Sequence, residues 1–212
     1  MTRDYVVLLI ENSNSEHNKI RLELAPLIRA EEAPHIHLVY TGQYRPGSRQ
    51  DISADEAMEI VSKARKLYDL AIVDLGLRPV YAQKVHDELL KAPGAPDQMQ
   101  TELLRSLDGL IVIVRLRQLF PALPIIVFSQ YARYPVVQDT LRRLLREHVG
   151  REDFLTFLPK DEEHYPMLRD VVRQELASGG TGVVPAGTPG GFVSTTRKIV
   201  ESLIHGLCER EG

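Results

Sequence analysis

The stretch YDLAIVDLGL, residues 68–77, decides how the chain is read. Leu70, Ala71, Ile72 and Val73 form an unbroken apolar run that stops at a carboxylate, Asp74. A run without polar alternation fits a parallel strand buried on both faces. In open α/β sheets, ligands bind at the carboxyl ends of the strands, so Asp74 stands where chemistry is expected.

Working outward, four more segments read as strands: Tyr5–Ile10, His35–Tyr40, Pro124–Ser129 and Phe154–Leu158. Helical patterns separate them. Ser13-Asn14-Ser15-Glu16 and Ser53-Ala54-Asp55-Glu56 have the spacing of a capping box, in which two side chains satisfy the free N–H groups of a helix start. Ile20, Leu24, Leu27 and Ile28 give the first helix an apolar face, and Pro26 should kink or shorten it. Ala57, Ile60, Val61, Ala64 and Leu67 mark the next. Tyr81–Ala92 reads as a helix broken by Pro93–Pro96, followed by Met99–Leu107. Asp108-Gly109 then introduces Leu110–Leu119, read as a separate helix, although its β-branched LIVIV core suits a strand equally by propensity. Val136–Glu147 and Glu162–Ala177 complete the alternation. Five strands separated by helices imply a parallel sheet covered on both faces by right-handed crossovers. Residues 178–192 are Gly- and Pro-rich and read as a tether, and 193–212 as a terminal amphipathic helix with Val200, Leu203, Ile204 and Leu207 on one stripe.

Composition narrows the function classes. The formal net charge is −3 with no basic block, which argues against a nucleic-acid or membrane-surface binder. Cys208 is the only cysteine, so an intramolecular disulfide is impossible and a reducing, cytoplasmic setting is expected. The opening MTRDYVVLLIEN has too short an apolar run for a signal peptide, and no apolar segment is long enough to span a bilayer. His35 and His37 share one strand face, but no third ligand is apparent, so exposed histidines are expected rather than a metal pair.

The strand ends carry Glu11 and Asn12, then Asp74, then Ser129, then Lys160. Two acids and an amide suit a hard cation such as Mg²⁺. A carboxylate beside that cation can attack a phosphoryl group, and a hydroxyl and an ammonium can hold the oxygens of the product.

In these residues the chain resembles the receiver domain of bacterial two-component response regulators. The matching pieces are LLIEN (Leu8–Asn12), YDLAIVDLGL, Leu107–Ala132 and FLTFLPK (Phe154–Lys160). The resemblance covers most of residues 4–177 and implies a flavodoxin-like, doubly wound five-stranded parallel sheet of order 2-1-3-4-5. It implies that Asp74 is the phosphoacceptor, that Glu11 and Asn12 take the positions of the acidic pair, and that Mg²⁺ is held by Glu11, Asn12 and Asp74. It further implies that Ser129 is the switch hydroxyl, Phe157 the aromatic that reorients with it, and Lys160 the phosphate-contacting lysine. The partner it implies is a sensor histidine kinase or phosphotransfer protein, with output through protein–protein contacts and no enzymatic turnover.

Three features depart from the family pattern. Asn12 stands in place of a metal-binding aspartate, which should weaken Mg²⁺ binding. Asp74 and Ser129 are 55 residues apart, an excess assigned to an insertion at about 78–106 that would serve as a lid, a partner-binding element or an oligomerisation arm. The segment between Ser129 and Lys160 is also longer than usual. A phosphorylation-independent binding or dimerisation module on the same fold is the alternative. A phosphoryl-transfer enzyme using His86, Asp87 or Glu88 is a third.

Overall fold

The computed structural model describes residues 4–41, 52–64, 67–89, 98–178 and 196–201. Its strands are β1 (Tyr5–Ile10), β2 (Ile36–Tyr40), β3 (Leu70–Val73), β4 (Ile125–Ser129) and β5 (Leu155–Pro159). Its helices are α1 (Asn14–Glu23), α2 (Ala25–Ile28), α3 (Ala54–Ala64), α4 (Tyr81–Leu89), α5 (Gln98–Leu119), α6 (Pro135–Val149) and α7 (Tyr165–Ala177). The strands form one all-parallel sheet of order β2-β1-β3-β4-β5, the flavodoxin-like order expected from the sequence.

Side-chain alternation explains why the strands read as solid apolar runs. Val7, Leu9, Leu70, Ile72, Ile126 and Phe128 face one side, where they meet Ile20 of α1, Leu24 between α1 and α2, Leu27 of α2, and Leu168 and Val172 of α7. Leu8, Ile10, Ala71, Val73, Ile125 and Val127 face the other, against α3, α4, α5 and α6. Both faces are covered, so no polar alternation survives.

Local signals hold in most places. α1 stops at Glu23, and Pro26 falls in the first turn of the short α2, which realises the expected break. The Ser53 capping box is complete: Glu56 N–H donates to Ser53 Oγ at 3.3 Å, and Ser53 N–H donates to Glu56 Oε2 at 2.8 Å. The Ser13 box is only half formed. Glu16 N–H reaches Ser13 Oγ at 3.4 Å, but Ser13 N–H donates to Glu11 Oε1 at 2.8 Å instead of Glu16. β5 begins one residue later than expected, because Phe154 is left-handed with φ 59°. α7 begins at Tyr165 rather than Glu162, with a proline in its first turn.

The main correction concerns Asp108-Gly109. These residues do not start a helix; they lie inside α5, which runs unbroken for 22 residues. Both are there for tertiary reasons. Asp108, 1% exposed, accepts the N–H groups of Val80 and Tyr81 at 3.1 Å and of Ala82 at 3.0 Å, so it caps α4 from a neighbouring helix. Gly109 packs directly on the loop after Asp74, where a Cβ would lie 2.3 Å from Leu75 Cα. LIVIV is helical despite its β-branched residues because α5 is enclosed by α3, α4 and α6, and Leu110–Val114 are all fully buried. A helix apolar all round is a buried helix, and here tertiary burial overrides propensity. The expected insertion thus consists, among the described residues, of α4 and the first turns of α5.

Of the expected tether, only Ser178 is described, as the residue closing α7. Residues 196–201 are helical, with Ile199 fully buried in the larger core. Leu203, Ile204, Leu207 and Cys208 lie outside the described residues, as does the 93–96 break. No helix among the described residues is long and apolar enough to cross a membrane.

Two substitutions test this arrangement. Asp108→Ala orphans three helix-start donors and is expected to cost about 2 kcal/mol. Gly109→Ala drives a methyl group into the Leu75 backbone and is expected to cost about 1–3 kcal/mol. Urea midpoints read both, and unchanged midpoints would contradict the placement of α5.

Candidate functional site

At the carboxyl end of the sheet, β1 delivers Glu11 and Asn12, β3 delivers Asp74, and β5 leads into Lys160. These four line one open cleft of about 420 Å³, together with Ser13, Glu16, Lys19, Gly76, Gln130, Asp161, Glu162 and Tyr165. Asp74 is aligned by its own backbone, whose N–H donates to Ile10 O at 2.9 Å, so the acid sits level with the end of β1.

Lys160 joins the acids. Its Nζ lies 2.6 Å from Glu11 Oε2 and 2.9 Å from Asp74 Oδ2. The remaining carboxylate oxygens are also engaged: Glu11 Oε1 accepts Ser13 N–H at 2.8 Å, and Asp74 Oδ1 accepts Gly76 N–H at 3.2 Å. Glu11 is fully buried and Asp74 is 8% exposed. Burial, reinforced by the Asp74 charge and only partly offset by Lys160, pushes Glu11 up to about 7. Burial opposes the charge on Lys160, but Asp74 and Glu11 outweigh it and hold its pKa above the usual lysine value. The two shifts meet where two carboxylates share a single ammonium. The wider cleft has the same imbalance, with Glu11, Glu16, Asp74, Asp161 and Glu162 against Lys19 and Lys160. A deficit of positive charge at oxygen donors fits a hard cation.

Asn12 enters differently from expectation. Its Nδ2 donates to the Gly76 carbonyl at 2.5 Å, so the amide is bonded to the loop beyond Asp74 and brings no charge to the cleft. Ser129 is fully buried, and its hydroxyl accepts Tyr131 N–H at 3.3 Å, capping a 3-10 turn at Gln130–Arg133. It is next to the site through its backbone, since Lys160 N–H donates to Ser129 O at 3.2 Å, but its side chain does not line the cleft. Phe157 is partly buried on the α6 side of the sheet, with the Arg142 guanidinium 5.4 Å from its ring centroid. Glu11, Asn12, Asp74 and Lys160 are therefore together, while Ser129 and Phe157 flank them.

Several contributors escaped sequence reading. Gly76 lines the cleft, where a Cβ would crowd Tyr131 Cε2 at 3.3 Å and touch the Asp74 carboxylate at 3.6 Å. A glycine two residues beyond a strand-end acid was the available signal. Tyr165 bonds Glu16 and packs edge-on to Phe128 at 5.1 Å, building the far wall. Tyr40, stacked on His17 at 3.9 Å, is pushed up to about 12 by burial and by Glu11. Nothing in their local sequence points to these roles.

The other candidates fall elsewhere. His86 and Asp87 are on α4 and do not line the cleft; the Glu88 side chain lies outside the described residues. His35 Nδ1 and His37 Nε2 each lie 3.7 Å from an oxygen of Asp4, one oxygen apiece. Among the described residues, no three His, Cys, Asp or Glu side chains are grouped to hold a metal. A second depression, about 380 Å³ on the outer face of α1 and α2, holds neither a carboxylate nor a nucleophile.

No protein-family model and no curated protein matches the chain. Among solved structures, the Mn(2+)-bound form of response regulator Rcp1 is similar over 86% of this chain and 99% of that one, at 14% identity and a TM-score of 0.47. A likeness that low carries no weight for the chemistry, which rests on the residues above.

The Glu11 shift has a measurable sign. The folded state keeps a proton on Glu11 that the unfolded chain releases near its ordinary value of 4.5, so stability falls as pH rises from about 4.5 to about 7. The full effect is up to about 3 kcal/mol. Glu11→Gln is expected to flatten that slope in urea titrations run in EDTA. Equal slopes would contradict the retention of a proton on buried Glu11.

Proposed function

We propose that the chain is a receiver-type signalling domain in which Asp74 accepts a phosphoryl group from a phosphohistidine on a sensor kinase or phosphotransfer protein. The observation that carries this reading is the position of Asp74: an acid at a strand end, opening to a cleft, with one oxygen 2.9 Å from a buried ammonium. In the transfer, an Asp74 oxygen attacks phosphorus, the P–N bond breaks, and the imidazole leaves. Lys160 accompanies the new phosphoryl oxygens, releasing Asp74 Oδ2 and stabilising charge where it develops. Glu11 keeps Lys160 in the cleft. Ser129 reaches the phosphoryl group only by leaving its cap on Tyr131, a local change that would shift a pre-existing two-state balance and carry Phe157 with it.

Mg²⁺, when bound, neutralises phosphoryl charge. Glu11 and Asp74 are the anionic groups that would hold it, and Asn12 adds no charge. Output runs through protein–protein contacts, with a regulated partner or a second copy of the chain.

Two observations favour a second reading, a phosphorylation-independent binding module: Lys160 already neutralises part of the acid pair, and Asn12 already ties the loop. Beryllofluoride with Mg²⁺, a mimic of the phosphoryl group, separates the two. The phosphoacceptor reading expects a raised Tm and changed tyrosine fluorescence in the wild type, both lost in Asp74→Asn. Identical behaviour of the two proteins would leave only the binding module.

A further inference from the structure

We infer that the Asn12 carboxamide is a positioning residue that does by hydrogen bonding what a bound cation would do by charge: it fixes the Gly76 carbonyl, and with it the loop that presents Asp74. The functional meaning of this inference rests on the phosphoacceptor reading of Asp74. The loop just beyond β3 is held on several sides. Gly109 of α5 backs it at Leu75, Leu77 N–H donates to Leu75 O at 2.9 Å, and Gly76 N–H donates to Asp74 Oδ1 at 3.2 Å. Gly76 lines the cleft, and the partner of its carbonyl comes from the end of β1, 64 residues away.

Only the amide nitrogen can face a carbonyl oxygen at 2.5 Å, since the amide oxygen has no proton to donate. A carboxylate at position 12 reverses that relation. It sets a third anion beside Glu11 and Asp74 and points oxygens at the Gly76 carbonyl, an arrangement that repels unless a cation lies between them. The carboxamide removes the repulsion and supplies the bond. The loop is therefore set in the absence of metal, and the cleft carries one negative charge fewer against an incoming phosphoryl group.

Three proteins test this: the wild type, Asn12→Asp and Asn12→Ala, each unfolded thermally in EDTA and in millimolar Mg²⁺, with Mn²⁺ binding read by electron paramagnetic resonance of the free ion. In EDTA both variants are expected to melt about 2–4 °C below the wild type, as loss of one hydrogen bond implies for a chain of this size. Mg²⁺ restores Asn12→Asp and leaves Asn12→Ala low, while the wild-type Tm hardly responds to metal. Asn12→Asp binds Mn²⁺ on the order of tenfold more tightly than the wild type, because affinity rises with ligand charge. An Asn12→Ala protein as stable as the wild type in EDTA would overturn the inference. So would an Asn12→Asp protein that metal does not restore. No phosphoryl donor is present in these measurements. Failure of Asp74 to take a phosphoryl group would remove the proposed function and leave them unaffected.

Discussion

A single lysine ties the working end of this sheet together. Lys160 sits at the end of β5, its Nζ reaches Glu11 at the end of β1 and Asp74 at the end of β3, and its backbone N–H donates to Ser129 at the end of β4. Burying three charges is costly unless they satisfy one another. Here they do so incompletely, because two carboxylates divide one ammonium, and burial together with the Asp74 charge pushes Glu11 up to about 7. The constraint on the rest of the chain is geometric. Four strand ends, contributed by residues up to 149 positions apart, must arrive in register, or a buried acid loses its partner. The strand order β2-β1-β3-β4-β5 puts the ends of β1 and β3 side by side, which is what allows one side chain to bridge their acids.

Much of this was legible in the sequence, for identifiable reasons. The strands were visible because both sheet faces are covered, which leaves runs such as LAIV and IIVFS without polar interruption. Asp74, Glu11 and Lys160 were visible because each ends such a run. What stayed hidden was decided by contacts distant in sequence. Asp108-Gly109 looks like a helix start in isolation; inside α5 the acid caps a different helix and the glycine admits the Leu75 backbone. Ser13 and Glu16 have the spacing of a reciprocal cap, but Glu11 takes the Ser13 N–H first. The Asn12 partner is a main-chain carbonyl 64 residues away, which no local pattern announces. Ser129 was placed correctly along the chain, yet its hydroxyl is spent on the turn that follows.

The extra length between β3 and β4 is integrated rather than appended. α4 begins where Asp108 can cap it, α5 passes through the larger core, and Gly109 touches the loop that carries Asp74. Arg78, in the same connection, pairs with Glu56 at 2.8 Å and bridges to Ser53 through its backbone, joining the connection to the start of α3. Leu75, the residue after Asp74, is thus packed directly against α5, and the same connection is tied through Arg78 to the start of α3.

Formation of an acyl phosphate on Asp74 has a direct chemical readout. The protein is treated with acetyl phosphate and Mg²⁺, reduced with borohydride, and mapped by peptide mass spectrometry. An acyl phosphate at Asp74 is reduced to homoserine at that position, and this is the expected result, absent when acetyl phosphate is omitted. Homoserine at another acid, or at none, would contradict it.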